Sequence, residues 1–227
     1  MNIAIIPARG GSKRIPNKNI KDFLGKPIIA YSIETALLSR LFDKVIVSTD
    51  SEEIATVAKK YGAEVPFIRP CEISDDFATT ADVIKHSLDW AINNIGKIKY
   101  ACCIYATAPF VQVKYLKEGH HVLAEKDVSS VFSVTSFSFS IFRALKIQKN
   151  RLEMFWPEHE KTRSQDLPEA YHDAGQFYWL NISKFLENPK MYYSDSMPVI
   201  LPRYLVQDID TLQDWQRAEM MYKALNY

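Results

Sequence analysis

Cysteine is scarce in this chain: Cys71, Cys102 and Cys103 are odd in number, and none is spaced CxxC. Neither a disulfide framework nor a thiolate zinc site is indicated; adjacent Cys102 and Cys103 read as small apolar residues on a strand. Charge of one sign is lacking as well, since 28 basic residues against 27 acidic ones leave a net +1. That balance supplies no general attraction to nucleic acid or to an anionic membrane. No apolar run approaches the roughly twenty residues of a membrane span, and no basic segment leads into a signal-like apolar one. A cytoplasmic protein is therefore expected, with neither nucleic acid nor membrane as a partner. Only seven glycines are present, and the familiar glycine motifs are missing: there is no GK[ST] at P-loop spacing and no GxGxxG.

What is there is ordinary in bulk. An apolar fraction of 47% and a charged fraction of 24% over 227 residues suit one soluble domain with ample core. A single domain spanning 1–227 is expected, with residues 136–172 as an excursion of different texture. Segments of strand and helix period alternate along the chain, which predicts an α/β fold. Ile3 to Pro7 reads as a buried strand. Helix follows after Pro27, with Ile29, Ile33, Ala36, Leu37 and Leu41 on one face, then strand at Val45 to Ser48. Asp50, three residues before Glu53, resembles a capping box for a helix that Gly62 ends; a direct chemical role for Asp50 is the lesser expectation. Val65 to Ile68 reads as strand, Ala81 to Ile95 as helix, Ala101 to Tyr105 as buried strand, Tyr115 to Glu125 as helix and Val128 to Val134 as strand. His120 and His121 are adjacent and point about 100° apart on a helix, so they are expected at a surface and not on one metal.

Against this background the stretch Ile3 to Asn19 stands out. After its strand, which ends at Pro7, comes a loop with Gly10 and Gly11, Pro16 and the cations Arg9, Lys13, Arg14 and Lys18. Through Lys26 there are six cationic residues against Asp22 alone. Glycines free to take positive φ and surrounding positive charge describe a cradle for phosphate; a solvated basic turn is the alternative reading. Further on, Arg69 precedes Pro70, which disfavours a helical conformation there and presents the guanidinium from an extended end. The turn after Tyr105 falls where open α/β sheets hold ligands. The excursion is rich in aromatics (Phe137, Phe139, Phe142, Phe155, Trp156), and Lys149-Asn150 fits a hairpin tip. Such an apolar excursion calls for a partner surface. His172-Asp173 is not by itself a dyad, because adjacent residues need not face one another and no nucleophile is identified. Finally, Asp208 and Asp210 follow a strand-like Tyr204 to Gln207. Two apart on extended chain, both carboxylates can approach one hard cation; Asp210 can equally start the last helix, whose stripe is Trp215, Ala218, Tyr222 and Leu225.

From Pro7, the run PARGGSK followed by IPNKN resembles the opening signature of the cytidylyltransferases that activate sialic acids and related nonulosonic acids. Arg14 departs from it, since the sialate enzymes usually have glycine there. The resemblance continues in order along nearly the whole chain. It implies a three-layer Rossmann-like nucleotidyltransferase fold, with a mostly parallel sheet and a small antiparallel dimerisation extension. It also implies CTP as substrate, seated by Pro7, Ala8, Arg9, Gly10, Gly11, Ser12, Lys18 and Asn19, with Arg9 and Lys18 on the triphosphate. In RPCEISDDFATT, Arg69 and Thr80 correspond to contacts with cytidine. DIDTLQDW is similar to the metal-binding segment, which gives Asp208 and Asp210 to Mg²⁺ and makes them, with Arg9 and Lys18, the catalytic set.

On the sugar side the resemblance implies contacts from Tyr105, Arg143, Arg163, Gln165, Asp173, Gly175 and Gln176, completed across a homodimer. Arginines suit a sugar carboxylate because a guanidinium can clamp it through two bonds. Departures gather here. YATAP replaces a Gln-Pro-Thr-Ser-Pro type turn, Ser164 replaces the second arginine of RRQD, and Ala174 stands where asparagine is frequent. These segments are most similar to the pseudaminic acid branch, with legionaminic or N-acetylneuraminic acid as the next alternative. The implied reaction gives a CMP-sugar and pyrophosphate. Two other classes compete: a nucleotide-binding assembly subunit without turnover, and a nucleotidyltransferase acting on a sugar phosphate.

Overall fold

The computed structural model describes residues 1–225. The first apolar run forms β1 (Asn2–Pro7), in which Ile3 to Ile6 are wholly buried, as strands covered by helices on both faces must be. A short antiparallel pair, β2 (Asp22–Phe23) and β3 (Lys26–Pro27), leads into α1 (Ile28–Ser39). Then come β4 (Lys44–Ser48), α2 (Glu52–Lys60), α3 (Thr80–Asn94), β5 (Tyr100–Ile104), α4 (Val113–Lys126) and β6 (Ser130–Ser136). The hairpin β7 (Leu145–Gln148) and β8 (Arg151–Met154) precedes β9 (Tyr171–Asn181), α5 (Ile182–Glu187), β10 (Met197–Ile200) and α6 (Leu212–Leu225).

Six strands make one sheet in the order β10-β6-β9-β5-β1-β4. β1 is parallel to β4 and β5, β10 is parallel to β6, and β9 is antiparallel to both neighbours. The sheet is thus mostly parallel, with one reversed strand inside it. Ile29, Ile33, Leu116 and Trp179 fill the core on one face, and Ile84, Leu88, Tyr178 and Phe185 fill it on the other. This is the three-layer Rossmann-like arrangement that the resemblance implied. The reversal of β9 has a consequence for the site. Its beginning, Asp173 to Gly175, arrives at the same sheet edge as the ends of β1 and β5, where ligands collect in such folds.

A third, smaller core joins the two ends of the sequence. Phe23 packs edge-on against Tyr31 and Trp215, and Ile15 and Ile209, each about 1% exposed, belong to the same cluster. Ile15 sits in the basic loop and Ile209 lies between the two aspartates. Burying both brings the cationic and acidic segments together, and puts Asp208 and Asp210 outside that core by alternation.

Several expectations need correcting. Val65 to Ile68 is not a strand: only isolated bridges Ile46–Glu64 and Thr49–Ile68 form, and Pro66 interrupts the run with no N–H to give. Tyr204 to Gln207 is not strand-like throughout; Arg203–Leu205 is a 3₁₀ turn, and the strand lies earlier, at β10. Pro198 within β10 is tolerated because β10 is an edge. Asp50 does not cap α2; Ser51 does, accepting from the Ile54 N–H. Asp210 does not cap α6 either, since Thr211 and Asp214 hold that terminus reciprocally. His120 is half-buried against Tyr100 and Trp179, and only His121 is fully at the surface.

In the excursion, Lys149 (φ 49°) and Asn150 (φ 60°) are both left-handed. This is what a two-residue type I′ turn demands, met here without glycine. Phe139, Ile147 and Leu152 project from this region with more than 60% of their surface exposed.

Candidate active site

A cleft of about 560 Å³ opens at the sheet edge. Of the residues expected at the nucleotide, Pro7, Arg9, Ser12, Lys18, Asn19, Arg69 and Thr80 line it, together with Tyr105 and Asp210. Ala8, Gly10, Gly11 and Asp208 do not. Ala8 is buried, with its N–H given to the Ser48 carbonyl. Gly10 and Gly11 are not in the positive-φ region that the sequence suggested. Gly10 is favoured by close approach instead, for a Cβ there would lie 3.1 Å from the Ser51 Cβ, which would have to give slightly. The loop's left-handed residue is Asn17, at φ 50°. Asn19, nearly buried, donates its amide to the Arg9 carbonyl and so fixes the loop upon itself.

Charge in the cleft is paired in two groups. At one side, Arg9 donates to Asp76 at 2.7 Å and to the Asp75 carbonyl at 3.2 Å, and Lys13 also pairs with Asp76. Those two hydrogen bonds hold the Asp76 carboxyl below its ordinary range, Lys13 contributing most. At the other side, Lys18 donates to the Ile209 carbonyl at 2.6 Å and lies 3.6 Å from Asp210, whose other oxygen meets Arg14 at 2.8 Å. Asp208 is reached by solvent, yet the protein packed around it disfavours its charge. Burial first, and then the neighbouring Asp210, push its pKa up, while Lys18 opposes them. No group of three or more His, Cys, Asp or Glu side chains able to hold a metal gathers among the described residues.

Arg69 is 4% exposed. Burial lowers its pKa, Asp50 opposes that, and Arg9 adds to it. Its guanidinium donates to Ser74 Oγ at 3.1 Å and to the Ser48 carbonyl at 3.4 Å. Thr80 is the first residue of α3, whose capping box is formed by Thr79 and Asp82; its own side chain is left to the cleft and to Tyr105.

Beyond Thr80 and Tyr105 a second, smaller cleft of about 360 Å³ continues, lined by Tyr178, Pro189, Lys190, Met191 and Tyr192. Asp173 sits behind it, accepting hydrogen bonds from the Tyr178 and Tyr192 hydroxyls and from the Gly175 N–H. Tyr105 and Asp173 are thus brought together with the cleft. Gly175 takes φ 62° and closes the turn around Asp173. Gln176 is buried and gives its amide to the Leu205 carbonyl at 2.6 Å; within the chain it is a structural tie and lines neither cleft. Arg143, Arg163 and Gln165 line neither cleft. Arg143 donates to the carbonyls of Glu160 and Thr162, and Arg163 pairs with Asp166.

With this geometry in hand, comparison with known proteins is decisive. Residues 3–210 match the family described as Cytidylyltransferase. The chain belongs to the cytidylyltransferase family. A pseudaminic acid cytidylyltransferase of Campylobacter jejuni is 46% identical, over 98% of this chain and 97% of that protein. A CMP-N,N'-diacetyllegionaminic acid synthase of Legionella pneumophila is 35% identical, over 96% and 95%. The solved structure of a CMP:2-keto-3-deoxy-manno-octonic acid synthetase complexed with CTP superposes with TM-score 0.71 at 13% identity, covering 98% of both chains. That likeness shows the nucleotidyltransferase fold.

Several site residues of this cytidylyltransferase escaped sequence reasoning. Asp75, Asp76 and the Lys190 to Tyr192 segment line the clefts, and Asp50, for which a chemical role was the lesser expectation, stands beside the first with its carboxylate on the Gly10 N–H. The contacts that place them, Tyr192 to Asp173, Asp50 to Gly10 and Asp76 to Arg9, span 19, 40 and 67 residues of sequence, and no local spacing announces them. Asp75 and Asp76 carried a signal, being an adjacent acidic pair placed between Arg69 and Thr80.

Proposed function

We propose that this chain transfers CMP from CTP to the anomeric hydroxyl of a free nonulosonic acid, pseudaminic acid, releasing pyrophosphate. The observation that carries the reading is Lys18: its ammonium ties the basic loop to the Ile209 carbonyl and to Asp210. A triphosphate laid along the loop would thereby meet the acidic pair through one cation. The choice of sugar rests on the relatives, since those 45–46% identical are named for pseudaminic acid while the legionaminic synthase is 35% identical.

Two carboxylates without further ligands are what Mg²⁺ uses when substrate phosphates complete its shell. The charge strain at Asp208 beside Asp210 is of the kind a cation relieves, so the donor set fits. When bound by Asp208 and Asp210, Mg²⁺ would neutralise phosphate charge. The remaining work falls to the chain. Arg69 and Thr80 would hold the cytidine, and Arg9 and Lys18 the triphosphate, with Arg9 leaving Asp76 for the phosphates. The anomeric oxygen forms its bond to the α-phosphorus as the bond to pyrophosphate breaks, and the hydroxyl proton passes to solvent. Positioning and charge stabilisation supply most of the catalysis in such a displacement.

The second cleft, with Tyr105 at its mouth, would take the sugar. Arg143, Arg163 and Gln165 line neither cleft of their own chain and would reach the sugar of a second copy, in a homodimer built on the apolar hairpin. The reading also carries a cytoplasmic setting, where CTP is available. Its test is incubation of the protein with CTP, Mg²⁺ and a panel of ulosonic acids, followed by mass identification of the CMP adduct. Adduct with pseudaminic acid and pyrophosphate release are expected. CTP binding with no pyrophosphate from any acid would favour the assembly-subunit alternative, and turnover only with a sugar phosphate would favour the other.

A further inference from the structure

Asp50 stands at the end of β4, beside but not within the first cleft. Its Oδ1 accepts the Gly10 N–H at 2.8 Å, and the same oxygen lies 3.8 Å from Arg69 Nη2. Helix α2 does not need it, because Ser51 caps that terminus. Gly10 belongs to the loop that would hold the phosphates, and Arg69 would hold the base. Arg69 is nearly buried, so its charge depends on what neutralises it; Asp50 is the carboxylate at hand, and Arg9 is the repelling neighbour. The backbone at Gly10 also packs closely onto Ser51, so that a Cβ would meet the Ser51 Cβ at 3.1 Å.

We infer that Asp50 is a positioning residue for the nucleotide, one carboxylate that sets the phosphate loop at a fixed distance from the base-holding guanidinium. This rests on the reading that the cleft takes CTP. Without Asp50, two things change together. The Gly10 N–H loses its acceptor and the loop its anchor, while Arg69 is left to turn toward the remaining acceptors, the Ser48 carbonyl and Ser74. Distance between phosphates and base is fixed within CTP, so a loop displaced relative to Arg69 can satisfy one end only. The sugar cleft, which Asp50 does not touch, is left as it was.

The test measures CTP affinity by calorimetry without sugar, and KM for CTP and for the sugar separately, in wild type, Asp50→Ala, Asp50→Asn and Ser51→Ala. Ser51→Ala removes the helix cap and is the control for general loosening of this region. Losing a hydrogen bond to a charged group predicts about 10- to 100-fold weaker CTP binding for Asp50→Ala. Asp50→Asn keeps an acceptor for Gly10 and should fall between; if the alanine variant does not fold, the asparagine variant carries the comparison. KM for the sugar should stay within about twofold throughout, and Ser51→Ala should bind CTP as wild type does despite a lower Tm. An Asp50 variant that binds CTP as well as wild type overturns the inference, as does Ser51→Ala weakening CTP equally. Wild type that fails to bind CTP at all brings down the nucleotide reading itself, a result distinct from the other two.

Discussion

Replacing Lys18 by methionine removes the ammonium while keeping a side chain of similar length and shape. In the folded protein that ammonium makes a 2.6 Å hydrogen bond to the Ile209 carbonyl and stands 3.6 Å from Asp210, with about a fifth of the side chain exposed. A charged hydrogen bond of this kind contributes about 1.5–3 kcal/mol. The ion pair adds little, since partly exposed pairs contribute about 0–1 kcal/mol, and Asp210 retains Arg14 at 2.8 Å. A net loss of about 2 kcal/mol lowers Tm by roughly 4–8 °C for a domain of this length. The effect on turnover is larger, because the charge is needed most as pyrophosphate departs. Loss of one such stabilising group costs about 10²–10³ in kcat. The assay is pyrophosphate release at saturating CTP and Mg²⁺, at a temperature well below the variant's own Tm. A kcat within about threefold of wild type, equivalent to under 1 kcal/mol of barrier, would refute the role given to Lys18.

Asp76 occupies Arg9 and Lys13 before any nucleotide arrives, so Asp76→Asn should lower KM for CTP in steady-state assays; a higher KM would mean that Asp76 orients Arg9. Asp208 has a pKa raised by burial and by Asp210, so its charge opposes folding once pH exceeds the unfolded value, and the cost is complete above the folded one. Asp208→Asn without Mg²⁺ should accordingly raise Tm at pH 7 and leave it unchanged well below the ordinary carboxylate range; a lower Tm at pH 7 contradicts this. Ile147, exposed on the hairpin, should lie in a dimer interface, and Ile147→Asp should turn a dimer into a monomer by sedimentation while leaving CTP affinity intact. A wild-type monomer at micromolar concentration would remove the hairpin from that role.

Legibility followed sequence distance. The basic loop could be read because its charges lie within ten residues, and the hairpin tip because two adjacent residues had to supply the turn. Near misses arose where neighbours share a chemistry. Asp50 and Ser51 can each cap a helix, and so can Asp210 and Thr211; only the structure shows that the second of each pair caps, which frees Asp50 for the Gly10 N–H and Asp210 for the cleft. Val65 to Ile68 had strand-forming side chains, but Pro66 broke the ladder. β10 hid behind Pro198, which only an edge position tolerates. The hold of Tyr192 on Asp173 and of Asp76 on Arg9 could not be read from local spacing, being contacts across 19 and 67 residues. What did draw the ends together, Ile15 and Ile209 in one buried cluster, is an ordinary pair of isoleucines in the sequence and a decisive one in the fold.

The most direct measurement of the central claim is calorimetric titration of CTP with and without Mg²⁺ into wild type, Lys18→Met, Asp210→Asn and the double variant. If basic loop and acidic pair meet on one nucleotide, Mg²⁺ tightens CTP binding to wild type and has almost no effect on Asp210→Asn. The Lys18 and Asp210 changes should then also couple by about 0.5–3 kcal/mol. Equal Mg²⁺ enhancement in Asp210→Asn, with strictly additive losses in the double variant, would contradict the account.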